Sequence, residues 1–544
     1  MKTATLVIWF WILFIARGLF YISLVPLWEG FDEWAHYAVV QNVALGTRAG
    51  LTGGNRVSLE VETSLRLVPR PDDGISRDTY WRLPARERWN NEEALRTMPA
   101  DWARQPARDA VRAYETQQAP LYYWIAALAY RGIQGSPFLT RVWLLRLLSL
   151  LLGSAVIPFI FLLARNVTGS EVKATGIAAL TAVTPQLMMA VNHVSNDGLA
   201  ISMGAALLFA LFRWKEQPHS TSRALVLGCL LGLALLTKAY FLCLVPPVSV
   251  FAAITAVRKR VPRQALALLA CAVVISAWWY LRTWSSTGSL SGEQIEIAGK
   301  NSEMSLVNAA LHVKWRPAID FLFISHIWVG NWSFLVLRSW MYHFVAVMAA
   351  VSAIGLGVYV AKHRAAKKRP SREDVALLGG IFIAFVVALA YHVVRAFQAS
   401  GTLGTMGYYL FAVIGAELIL VTTGLETVMP SKLAPAVLPA AAVCFAGIDL
   451  FGANFYAIPY YAGFIAHLPN GGLPTLHVGQ LAGGGLHLML ARVAVNKPEF
   501  LNPTVLAAIW ALYLAATAAL TVVAVWPAVR GNLRDVGAGE WSRA

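Results

Sequence analysis

The sequence predicts an all-α, polytopic membrane protein with about twelve transmembrane helices and external juxtamembrane helices. Composition is the first observation: of 544 residues, 57% are hydrophobic and only 14% are charged, where a water-soluble domain carries about 25% charged residues. The second is a mean hydropathy of +0.56, spread over apolar runs that each approach the roughly 20 residues a bilayer-spanning helix needs. The third is that the alternation of a membrane β-barrel is absent, which leaves helices to satisfy the backbone in lipid.

The net charge of +16 does not point to nucleic acid. The basic residues stand in short loops between apolar runs, where they orient a membrane protein. Cys229, Cys243, Cys271 and Cys444 sit inside apolar stretches without paired spacing. They read as small core residues and not as a disulfide framework or a zinc site. After Met1 and Lys2 the chain is apolar to about Leu27 with no small-residue cleavage site, so a retained first span is expected. Arg17 interrupts it, and either lines a polar cavity or snorkels.

Charge sets the remaining topology. Arg258-Lys259-Arg260 with Arg263, the stretch Lys362 to Arg372, and the tail with Arg530, Arg534 and Arg543 are basic. Weaker basic loops run from Arg165 to Lys173 and from Arg213 to Arg223. Placing all of these and Lys2 in the cytoplasm, at the inner (plasma) membrane, puts both termini inside. The run 142–164 then travels inward, so the apolar stretch 120–134 is not a full span but a re-entrant or interfacial helix. Further spans are expected at 173–192, 196–213, a hairpin at 224–257, 265–283, 341–361, 375–395, 408–428, 435–457 and 504–527.

The chain divides accordingly. A first span over 1–27 leads to an external loop over 28–141, a membrane core over 142–283 and a second external loop over 284–340. Membrane helices over 341–457 follow, then an external loop over 458–503 and a last span with its tail over 504–544. Pro69, Pro71, Pro84, Pro99 and Pro106 break up the first loop, and Trp81, Trp89 and Trp102 suit the headgroup level.

The polar residues that carry chemistry fall mainly in the outward-facing segments. Trp28-Glu29-Gly30-Phe31-Asp32-Glu33-Trp34-Ala35-His36-Tyr37 follows the first span. Asp32 and His36, four apart, share a helix face. Such a carboxylate accepts a proton from a hydroxyl or helps hold a divalent cation, or caps its helix. Tyr114 to Trp124 contains Pro120-Leu121-Tyr122-Tyr123-Trp124, otherwise an aromatic anchor. Asn192-His193-Val194-Ser195-Asn196-Asp197-Gly198 is a polar turn, and Asn-Asp-Gly is also an ordinary turn sequence. Leu236-Thr237-Lys238 sits at the tip of the 224–257 hairpin. Its lysine neutralises a phosphate or snorkels.

In this order the motifs resemble the GT-C superfamily of integral-membrane glycosyltransferases, which includes protein O-mannosyltransferases and the aminoarabinose transferases of lipid A. The Asp-Glu-x-x-His form is similar to poorly characterised bacterial members. The resemblance covers roughly residues 1–260. It implies a GT-C-like fold and an inverting sugar transfer from a polyprenyl-phosphate-type lipid donor to an envelope glycan, lipid or protein acceptor, on the extracytoplasmic face.

The resemblance also implies roles. Asp32 is the general base, with Glu33 beside it and Asp197 the second loop carboxylate. His36, Tyr122, Asn196, Lys238, Tyr408 and Arg395 are substrate-binding candidates. Asp32, His36 and Asp197 form a candidate set for Mg or Mn. The chain departs from the family's pattern at Gln118-Ala119, where relatives carry lysine or histidine, and at Tyr408 of Gly407-Tyr408-Tyr409, where relatives carry arginine. Arg395, Arg338 or His392 is then left to supply the positive charge. A transporter or flippase for lipid-linked sugars is the alternative class, and a scaffold in an envelope assembly complex is another.

Overall fold

In the computed structural model, the protein is described over residues 3–46, 56–69, 77–109, 111–292, 304–362 and 369–541. The expectations placed on Lys2, Pro71, Arg543 and most of the stretch Lys362 to Arg372 lie outside these residues. Helices dominate, as expected. Among the described residues the strands are Val329–Gly330 and Leu335–Val336, an antiparallel hairpin pairing Val329 with Val336 and Gly330 with Leu335.

Among the described residues, ten helices are long and apolar enough to cross a membrane, from Thr5–Leu24 to Pro503–Val525. The pair Glu171–Val183 and Pro185–Val191, bent by 62°, is either a broken eleventh span or a re-entrant loop. The bend follows from Pro185, which lacks the N–H that would bond back into the preceding turn. The remaining expected span falls on Thr221–Leu235, apolar but only 15 residues long and so about 22 Å, short of a hydrocarbon core of about 30 Å. The stretch 120–134 forms Leu121–Ile133, a 13-residue helix, likewise too short to span. It packs on the helix Glu33–Leu45.

Local chemistry sets the ends of these helices. The hydroxyls of Ser170, Ser220 and Ser371 accept from Lys173, Arg223 and Asp374 backbone N–H groups at 3.3, 3.3 and 3.1 Å. These are N-caps. Ser371 and Asp374 form a full capping box. The basic loops meet at one end of the bundle. Lys215 pairs with Asp374 and Lys173 with Glu426, and Arg369 donates to the Asn166 carbonyl at 3.2 Å.

Arg17 neither snorkels nor lines a cavity. It is fully buried and paired with Asp449 at 2.7 Å, and it also donates to Thr517 Oγ1 at 3.1 Å. Tyr21 and Tyr513 hydroxyls donate to the same carboxylate at 2.6 and 2.7 Å. The sequence reading missed Asp449, the partner that makes burial of the guanidinium tolerable. The cysteines are free and half-buried, with Cys243 and Cys444 packed against the core.

Candidate functional site

The first span ends in a ring of unsatisfied carbonyls, and two distant cations take them up. Arg146 donates to the carbonyls of Ile22, Val25 and Pro26 at 3.3, 2.6 and 2.7 Å. Lys497 Nζ donates to the Leu24 carbonyl at 3.1 Å and also to that of Val25. Cations at a helix C-terminus complement its dipole. Arg146 in turn forms a bidentate pair with Glu33, both bonds 2.6 Å, and Val194 N–H donates to Glu33 Oε1 at 3.1 Å. Burial alone would raise the Glu33 carboxyl, but Arg146 outweighs it and holds it below the usual range.

Glu33, expected beside the base as a catalytic group, is therefore wholly buried and saturated. It ties the acidic motif to the membrane core.

Asp32 differs from its neighbour. It stands at the N-cap of Glu33–Leu45 with φ 55°, left-handed backbone that aspartate tolerates at some cost. Its side chain does not cap the helix. It is half-buried, and the Tyr114 hydroxyl donates to it at 2.7 Å. Residues on both sides hold the strained turn. Trp28 donates to Ser64 Oγ at 2.8 Å. Ser333 N–H donates to Glu29 Oε1 at 2.7 Å. Gly30 lies against His193 so closely that a Cβ there would come within 2.3 Å of the His193 Cβ and 2.6 Å of its ring.

Asp197 opens the helix Asp197–Glu216 and pairs with Lys238. Ser195 Oγ donates to its second oxygen at 3.3 Å. Lys238 Nζ lies 4.8 Å from the Tyr409 ring centroid and 5.4 Å from that of Tyr240, a cation–π arrangement. Tyr408 stacks on Phe31 at 5.8 Å. The hydroxyl of Tyr409 feels the charges of Asp197, Asp32 and Glu115 together. Close backbone approach makes this possible: a Cβ on Gly204 would meet the Ala412 carbonyl oxygen at 1.8 Å, and one on Gly407 the Leu322 carbonyl oxygen at 1.8 Å.

Asp197, Lys238, Tyr409 and Tyr408 thus form one contact chain that reaches Phe31, the neighbour of Asp32, and the charges of Asp32 and Asp197 act on Tyr123 and Tyr408. The other expected binding residues stand behind them. Tyr122 is buried with its hydroxyl on Ser149 Oγ at 2.8 Å. Asn196 donates to Gln118 Oε1 and to the Thr237 carbonyl, both 3.2 Å, and locks three motifs together. The ring of His36 is buried against the Tyr123 hydroxyl at 2.6 Å. Burial and the Lys238 charge push it well below the usual histidine range.

Arg395 is engaged by Gln398 on its own helix. On that helix His392 comes under the charge of Lys238 and bonds Thr405 Oγ1 at 2.8 Å, and Arg338 reaches to Thr475. Glu115, Tyr114 and Tyr409 were missed as site residues, though each lies in or beside a quoted motif.

The metal expectation does not fit. Among the described residues no three His, Cys, Asp or Glu side chains are placed to hold one ion. The physical reason lies with the partners: Asp197 already has the Lys238 ammonium against it, and His36 faces a tyrosine.

Residues 117–280 match the family model described as dolichyl-phosphate-mannose-protein mannosyltransferase. The likeness to the GT-C superfamily is borne out. The matched segment is somewhat under a third of the chain. It holds Tyr122, Asn196, Asp197 and Lys238 of the cluster, while Asp32 and Tyr408 lie outside it. No curated protein matches the chain. Among solved structures, ArnT from Cupriavidus metallidurans bound to undecaprenyl phosphate is similar with a TM-score of 0.45 at 15% identity, over 94% of this chain and 76% of that one. The apo state of ArnT gives a TM-score of 0.36 at 17% identity, over 74% and 66%.

Proposed function

We propose that the protein is a membrane glycosyltransferase that moves a sugar from a polyprenyl-phosphate donor to an acceptor at the extracytoplasmic face of the inner membrane, both termini being cytoplasmic. The observation that carries it is the meeting of a half-buried, strained Asp32 with the Lys238–Asp197 pair around Tyr408 and Tyr409. The family model that matches residues 117–280 is named for dolichyl-phosphate mannose, a sugar on a polyprenyl phosphate.

In this reading Asp32 takes the proton from the acceptor hydroxyl, and the freed oxygen attacks the anomeric carbon. The bond from that carbon to the phosphate oxygen breaks with inversion, and its electron pair leaves with the lipid phosphate. Charge develops on that phosphate, so a fixed cation beside it lowers the barrier. Lys238 supplies the cation. Asp197 aims it, and the tyrosine faces around it exclude water. Glu33 is a positioning residue, since it acts through Arg146 on the end of the first span. No step runs through a metal.

The test is mass spectrometry of envelope glycans from a deletion strain complemented with wild type or with Asp32→Asn at equal abundance. Wild type should restore a sugar missing from the deletion strain. Asp32→Asn should not, because general-base catalysis contributes about 10²–10⁴-fold. Full restoration by the variant would remove Asp32 as base. A deletion strain that lacks no sugar would remove the function.

A further inference from the structure

The end of the bundle away from Asp32 holds a second, unassigned feature. The helix Asp197–Glu216 is 20 residues long, so its two ends stand about 30 Å apart. At the Glu216 end it finishes beside Val156–Thr168, whose Asn166 carbonyl takes a hydrogen bond from Arg369. Between them is a cavity of about 350 Å³ lined by Arg165, Asn166, Arg213, Glu216 and Arg369, with the apolar Leu162 and Phe209. That volume lies in the range of small-molecule sites, about 300–1,000 Å³.

Charge accounting separates this cavity from the surface around it. Three nearby basic residues each have a carboxylate of their own: Lys215 has Asp374, Lys173 has Glu426, and Arg258 has Glu373 at 3.8 Å. The three arginines of the cavity share one carboxylate. Glu216 pairs with Arg213 at 2.9 Å and lies 3.9 Å from Arg223, a fourth arginine outside the cavity. Arg369 is held by a neutral carbonyl, and Arg165 lies over the Phe161 ring at 5.6 Å. Each guanidinium presents five donors, so most of their capacity and two net positive charges face the cavity.

We infer that this cavity is a binding site for a phosphate group. Guanidinium is the side chain best matched to phosphate oxygens, which it grips in bidentate fashion. Two sources share that chemistry: the headgroup of an anionic phospholipid, whose glycerol end would lie on Leu162 and Phe209, and free phosphate from solution. Basic pockets between membrane helices are known lipid-headgroup sites in general. This site is separate from the Asp32 cluster and needs no turnover to be tested.

The full chain, purified in a neutral detergent, is titrated at constant ionic strength with short-chain phosphatidylglycerol and, separately, with inorganic phosphate, with heat of binding as the readout. Saturable binding of either ligand near one per chain is expected, and the ligand that saturates identifies the source. In Arg165→Gln/Arg213→Gln/Arg369→Gln affinity should fall by at least about tenfold. Arg258→Gln, on the matched surface, should bind as wild type. Single Arg→Gln variants, each expected to weaken binding, keep the test decisive if the triple variant unfolds. No saturable binding of either ligand, or equal binding by the triple variant, would overturn the site.

Discussion

Asp197 and Glu216 terminate the same helix, yet the two ends handle charge in opposite ways. At the Asp197 end carboxylate and ammonium are paired, buried and walled by tyrosines. At the Glu216 end arginines outnumber carboxylates and stay open to the surroundings. Enclosure strengthens a charge interaction and fixes its direction, which suits chemistry on one bond. Excess charge in an open cavity suits capture of an anion. The contrast teaches that net charge at a helix end says little until its partners are counted.

The largest effect should come from Asp32→Asn, with transfer lost by about 10²–10⁴-fold and the melting temperature unchanged in a thermal scan. Lys238→Gln should come next. It removes the cation proposed for the leaving phosphate and strands Asp197, so turnover should fall by about 10²–10³-fold. Retained turnover would collapse the distinction between the two ends.

Glu33→Gln tests positioning instead of chemistry. Breaking a buried ion pair costs about 3–5 kcal/mol, so the thermal midpoint should fall. At a temperature where the variant stays folded, the pH profile of turnover should keep its shape, because the proposed base, Asp32, is unchanged.

The smallest effect concerns Glu29, whose buried carboxyl is pushed up to about 7 from an ordinary 4.5. The folded state therefore binds this proton more tightly than the unfolded state. Its contribution is whole below about pH 4.5 and falls as pH rises to about 7. Glu29→Gln keeps an oxygen for Ser333 N–H and should flatten that part of the stability–pH curve. An unchanged slope would show that other groups set it.

Much of this was legible in the sequence. Apolar runs gave the spans because lipid leaves the backbone few choices. Basic loops foretold which turns gather at one end because charge is costly elsewhere. Charge parity set the Asp197 turn and the Lys238 hairpin tip on one side, and the two residues do pair. What was not legible is partner choice. Asp32 and Glu33 are adjacent and chemically alike, and only packing shows that Arg146 takes one of them. Spacing likewise could not show that Asp197 has the Lys238 ammonium against it, or that Asp32, His36 and Asp197 are not grouped around one ion position among the described residues. Nor did spacing show that Thr221–Leu235 would stop short of a full span.

The Arg17–Asp449 pair has a consequence in time. The first helix enters the bilayer bearing a charge whose partner is made 432 residues later. At about 5–20 residues per second, that is a wait of roughly 20 to 90 s. Through that interval the nascent first helix must keep its arginine in company other than lipid, at the insertion machinery or the interface. The bundle closes only when the penultimate helix arrives.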